Sequence, residues 1–307
     1  MIIAHSPDAD DAFMFQPLFQ GKVDTEGLSF EEVLEDIDAL NRKAVIGTYD
    51  VTAVSFHAYS VFSETYLLLT TGACFGEKYG PIVVSAKPLK LKQLLKVRMA
   101  IPGKSTTAFL VLKLLEHSLA GEGKSGVCYS EVSFDKVLDA VAQGKADAGL
   151  VIHEGQLNYE EKGLHKIIDL GEWWHKETGL PLPLGAIAIR RDLDPDMQKK
   201  VARVIRSSIQ YALDHKEEVL PGVIPLARGL DAERTAKFVG MYVNQLTVDF
   251  GRQGLKAIRT LFEKGYQSGA MTREINIDDC IFDSKKKSPM VESEEVVSPS
   301  GEISLDH

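Results

Sequence analysis

Short apolar runs alternate along this chain with stretches whose apolar positions recur at helical spacing, a pattern that predicts an α/β protein. Residues 2–4 read as a strand that passes through Ser6-Pro7-Asp8 into a helix carrying Phe13, Phe15 and Leu18. Strands follow at 28–34, 51–56, 66–69 and 82–85, with one helix at 37–46 that places Ile37, Leu40, Ala44 and Val45 on a single stripe. A second block repeats the alternation: strands at 97–101, 127–129 and 148–152, helices at 105–119 and 134–142, then 164–170, a short Trp173-Trp174 helix and a strand at 185–189. Helical patterns dominate afterwards, at 194–213, 231–243 and 251–266. From Asp283 the chain turns Ser-, Glu- and Lys-rich with little to bury, which predicts a disordered tail over 283–307.

The middle block is a complete α/β unit set inside a first unit whose helices resume beyond it. The expected organisation is a first lobe begun by residues 1–85, a second lobe of 86–186, and completion of the first lobe by the helical 187–282. Strand-like crossings near Val84-Ser85 and at 186–189 would join the lobes. A chain that crosses twice makes a hinged clamp, and ligands sit in the cleft of such clamps.

Charge narrows the partners. A formal net charge of −9 lacks the basic face that nucleic-acid binding needs. No run approaches the roughly 18 apolar residues of a membrane span. Cys74, Cys128 and Cys280 stand far apart without a CxxC, and the start of the chain has no signal-peptide pattern, so a reducing, cytoplasmic setting is expected. Nothing in the pattern fixes the oligomeric state, and a homodimer stays open.

Several segments carry chemistry. Gly103-Lys104-Ser105 resembles the end of a phosphate-binding P-loop, but the motif needs glycine at position 98, which is Arg98. What survives is a turn feeding a helix that begins Ser105, Thr106, Thr107, Ala108. Free N–H groups, hydroxyls and the positive end of the helix dipole suit a carboxylate there, although plain capping explains the same residues. Asp8, Asp10 and Asp11 are read as helix-start acids rather than metal ligands, and no metal site is expected. His153 follows the apolar run Ala148-Gly149-Leu150-Val151-Ile152, where open α/β sheets bind ligands beyond the carboxyl ends of strands. Histidine in that place is a candidate base, or a half-buried side chain bonded to its neighbours; Glu154 could orient it. Ser55, ending the strand with Ala53 and Val54, has no GxSxG and no adjacent base, so it reads as a substrate-contacting hydroxyl rather than a nucleophile.

Taken in order, these segments carry a resemblance. His5-Ser6-Pro7-Asp8-Ala9-Asp10-Asp11, Leu40-Asn41, Val54-Ser55-Phe56-His57-Ala58-Tyr59, Gly80-Pro81-Ile82, Pro102-Gly103 with Thr106-Thr107-Ala108, Ile152-His153-Glu154 and Thr178-Gly179-Leu180-Pro181 resemble the 1,4-dihydroxy-6-naphthoate synthases of the futalosine route to menaquinone over about residues 1–271. The resemblance implies a two-lobed fold like the type II periplasmic binding proteins. It also implies a cofactor-independent lyase reaction, in which cyclic dehypoxanthinyl futalosine, a carboxylate, yields 1,4-dihydroxy-6-naphthoate and a small sugar-derived fragment. In that family a strand-end histidine is the proton acceptor, which falls on His153. Substrate contacts fall on Ala53, Val54, Ser55, Thr107 and Ala108, and a family asparagine near the cleft falls on Asn41. Ala9 replaces a common proline and Gly155 a common serine. Two rivals remain: the chorismate dehydratase of the same pathway, whose Ser-Tyr-Leu-Asn motif is absent, and a non-catalytic solute receptor of the exported kind.

Overall fold

The structure, a computed structural model, describes residues 1–121, 126–227 and 229–282. Its first lobe begins with β1 (Ile2–His5), α1 (Ala9–Phe19), β2 (Glu31–Leu34), α2 (Ile37–Val45), β3 (Val51–Ser55), α3 (Phe56–Phe62), β4 (Tyr66–Leu68) and β5 (Cys74–Gly76). The second lobe holds β6 (Ile82–Ser85), β7 (Arg98–Ile101), α4 (Thr107–Ala120), β8 (Cys128–Glu131), α5 (Val137–Ala142), β9 (Ala148–Val151), α6 (Gly155–Asn158), β10 (His165–Asp169) and α7 (Leu170–Thr178). The chain returns through β11 (Leu182–Arg190) to α8 (Pro195–Asp214), α9 (Lys216–Val223), α10 (Ala232–Tyr242), α11 (Gln245–Val248) and α12 (Gly251–Gln267).

Two sheets result. The first runs β2-β1-β3-β11-β4, with β5 also paired to β11; the second runs β10-β6-β9-β7-β8. The double crossing lies a few residues earlier on each side than the expected 85/86 and 186/187 boundaries. All four residues of β6 pair with β9, and β11 pairs with β5 from Leu182 onward, so the lobe changes occupy residues 77–81 and 179–181. The reason is that a fully apolar run such as Ile82-Val83-Val84 reads alike as a central strand and as a buried crossing. The expected tail at 283–307 lies outside the described residues.

The first lobe is closed by helices whose local signals are strong. Asp194 caps α8 by accepting the Asp196 and Met197 N–H groups, and Pro195 occupies the first turn, where its missing N–H costs nothing. Val201, Val204, Ile205 and Ile209 fall on the buried face, each contributing about 1.5–3 kcal/mol of transfer free energy. That face lies on α1, where the Ser208 hydroxyl donates to the Met14 carbonyl at 2.7 Å. In the second lobe Gly149 has a similar role: a Cβ there would meet Val137 and Val141 side chains at 2.7 and 2.8 Å, so glycine lets α5 lie directly on β9. One apolar core continues from the second sheet through α4 onto β11 and α12, which locks the lobes in contact.

Candidate active site

In each sheet two parallel strands aim their carboxyl ends at the interlobe cleft: β1 and β3 in the first, β7 and β9 in the second. The turns that leave these strands build a cavity of about 760 Å³, counting its open mouth. Its walls include Ser6, Asp10 and Asp11 after β1, Ala53, Val54 and Ser55 of β3, Thr106, Thr107 and Ala108 after β7, and His153 after β9. Leu184, Gly185, Phe238 and Tyr242 complete it.

His153 is held in an unusual way. Its backbone φ is 54°, a left-handed conformation that costs a non-glycine residue about 1–3 kcal/mol and clusters at functional sites. Its Nδ1 lies 3.1 Å from Oδ2 of Asp8, across the cleft in the other lobe, and the Phe134 ring meets the imidazole edge to face at 4.7 Å. Nε2 is buried and has no hydrogen-bond partner among the described residues. An Nδ1–H donated to Asp8 leaves the Nε2 lone pair as the basic site. Glu154, beside it, is buried, and desolvation followed by the nearby Asp8 charge raises its carboxyl above the ordinary range.

Asp8 thus does more than the helix start requires. Its side chain makes no capping bond to α1; it accepts the Ser6 hydroxyl and reaches His153. Asp11 accepts the Ser6 N–H at 2.9 Å. Asp10 is raised well above the ordinary carboxylate range by burial and then by Asp11, Asp8 and Glu154. Among the described residues, two groups bring three donor atoms each within 4.8 Å and could hold a metal ion: Asp8, His153 and Glu154, and Asp10, Asp11 and Cys74. Burial also pushes the Cys74 thiol up, which works against the thiolate that a metal prefers.

The opposite wall is uncharged. Asn41 brackets Ser55, donating from Nδ2 to its hydroxyl at 3.1 Å and accepting its N–H at 2.9 Å. The Ser55 O–H is left to donate to a ligand, while Asn41 itself stands behind the cavity wall as a support. The hydroxyls at the start of α4 are already engaged. Thr106 caps the helix by accepting the Phe109 N–H and donates to the Gly103 carbonyl; Thr107 donates to the Leu184 carbonyl at 2.6 Å. Their value to a ligand is therefore backbone: the N–H groups of Thr107 and Ala108, in the first turn, have no intrahelical acceptor. Gly103, at φ 144° with Asp38 3.0 Å from where a Cβ would be, makes the tight entry turn.

The sequence marked His153, Ser55, Thr106, Thr107 and Ala108, and the structure brings all of them to one cavity. It did not reveal the Asp8–His153 pair or the bond from Tyr242 to Gln156 (2.8 Å), because both join segments far apart in the chain. Clustered acids after β1 were the available signal, and helix capping accounted for them. At Gly155 the usual serine has no room: a Cβ would meet Val151 at 2.6 Å.

The structure is a two-lobed protein with a periplasmic-binding-protein-like fold. The alkanesulfonate-binding protein SsuA of Xanthomonas axonopodis pv. citri shares it at 10% identity, with a TM-score of 0.70 over 92% of this chain and 97% of that one. Protein AF1704 of Archaeoglobus fulgidus is 42% identical with a TM-score of 0.82, covering 88% of this chain and 98% of that one. The menaquinone biosynthesis family matches residues 1–267, and the chain belongs to it. Relatives named 1,4-dihydroxy-6-naphtoate synthase from Thermus thermophilus and Streptomyces coelicolor are 38% and 34% identical over 267 residues, 87% of this chain and 94% and 93% of theirs. The family is accordingly one of enzymes. Among the described residues no helix is long and apolar enough to cross a membrane.

Proposed function

We propose that the protein is a carbon–carbon lyase that converts cyclic dehypoxanthinyl futalosine to 1,4-dihydroxy-6-naphthoate, with His153 as the proton acceptor. The observation that carries this reading is a buried, unpartnered Nε2 on a strained histidine whose other nitrogen faces a carboxylate. The substrate carboxylate rests at the start of α4, on the Thr107 and Ala108 N–H groups with the Ser55 hydroxyl beside them. His153 removes a proton, the electron pair breaks a carbon–carbon bond, and aromatisation of the released ring drives the cleavage. The closed cleft fixes the geometry and excludes water.

Formation of the naphthoate chromophore from this substrate, with none from chorismate, is the expected result with purified protein. His153→Ala retains substrate binding and loses about 10²–10⁴ in turnover, the usual contribution of a positioned base. Near-normal turnover by that variant rejects the assignment of the base. Stoichiometric binding without turnover by the unaltered protein rejects the enzyme reading in favour of a receptor.

A further inference from the structure

The carboxylate at the start of α4 accounts for one end of the cavity only. At the other end Asp10 is about nine-tenths buried and faces the cavity, and among the described residues its carboxyl meets a hydrogen-bond donor only in its own backbone N–H. A carboxyl group largely withdrawn from water and left with a single backbone donor has unused acceptor capacity, which a ligand can fill. Its neighbours are spoken for: Asp11 takes the Ser6 N–H, and the Tyr242 hydroxyl donates to Gln156 at 2.8 Å. Cys74 and Asp11 place ligating atoms within 4.8 Å of Asp10.

We infer that Asp10 forms a hydroxyl-binding subsite for the polyhydroxylated, sugar-derived part of the substrate, which orients the molecule along the cleft. The inference rests on the reaction proposed above. A carboxylate is the wrong group for this end, since it would meet Asp10 together with Asp8, Asp11 and Glu154. Sugar hydroxyls bring donors and no charge, and the two oxygens of one Asp can take two neighbouring hydroxyls. The acidic end and the neutral end then select opposite ends of one substrate, with His153 on the cavity wall beside Asp8.

The test compares the unaltered enzyme with Asp10→Ala and Asp10→Asn, using cyclic dehypoxanthinyl futalosine as substrate and 1,4-dihydroxy-6-naphthoate as a competitive product. Loss of the hydrogen bonds to the Asp10 carboxyl raises KM about 10- to 100-fold in Asp10→Ala, with a smaller rise in Asp10→Asn, which keeps one acceptor oxygen. Inhibition by the product, which lacks the hydroxylated part, stays unchanged in both. An unchanged KM in both variants, or an equal loss of product affinity, overturns the subsite while leaving the reaction intact. Chelator-sensitive activity restored by a divalent ion also overturns it, because a metal then occupies this end. Failure of the unaltered protein to form the naphthoate removes the parent reading and the subsite with it.

Discussion

Two helix entrances face each other across the cleft with the same local architecture and opposite electrostatics. At α1 a strand ends at His5, turns through Ser6, and feeds a first turn carrying Asp10 and Asp11; at α4 a strand ends at Ile101, turns through Gly103, and feeds a first turn with no acid. Both helix N-termini offer positive dipole ends and unpaired N–H groups. The α1 entrance surrounds its own N-terminus with carboxylates, one of which is diverted to His153. The α4 entrance uses its hydroxyls to brace the turn and leaves its amides for an outside anion. A helix start is therefore a ligand site only when the chain has not already filled it.

The largest effect should come from erasing that difference. Ala108→Asp adds a carboxylate to the first turn of α4, where the dipole tolerates it for folding but a substrate carboxylate meets like charge. Against the neutral control Ala108→Asn, which adds similar bulk, kcat/KM should fall by a further ~10²–10³, corresponding to several kcal/mol of like-charge cost. Equal losses in the two variants would mean that the carboxylate binds elsewhere. The next effect lies at the other entrance. Asp8→Asn keeps the side-chain shape but lets an amide N–H face Nδ1, favouring the tautomer that protonates Nε2. The expected change is a loss of about 10–100-fold in kcat with little change in KM. A variant with normal kcat would reduce Asp8 to a structural residue.

The smallest effect is on stability. The folded state holds the Asp10 proton more tightly than the unfolded chain, because burial and then its neighbouring carboxyls raise its pKa well above 3.8. Such a group stabilises below the unfolded value, and that contribution is lost as pH rises through the raised one. Urea midpoints of Asp10→Asn should therefore gain on the unaltered protein as pH increases from 3.8 upward. No pH dependence in that difference would argue that Asp10 is better hydrated than its burial implies. The acidic entrance would then be less unlike the neutral one.

Much of this was readable in advance, and for definable reasons. Alternating periodicities locate β9 and α4, while Pro195 after Asp194 and Gly103 after Pro102 mark where helices start and chains turn. The strand-end placement of His153 and Ser55 follows from the same pattern, as does the failure of the P-loop at Arg98. The lobe boundaries moved because buried strands carry no periodic signal that distinguishes a crossing from a central position. Asp8 was misjudged because a helix-start acid has a sufficient local explanation, and only contact with a residue 145 positions away shows a second role.

The sequence by itself determined the elements, the neutral character of the α4 entrance and the residues at the strand ends, since these depend on neighbours within a turn or two. Tertiary structure alone decided that Asp8 faces His153, that Asn41 supports Ser55 rather than lining the cavity, and that Asp10 is buried facing the cavity. Those outcomes depend on which distant segments two packed sheets bring together, and on how much water the packing removes from each polar group.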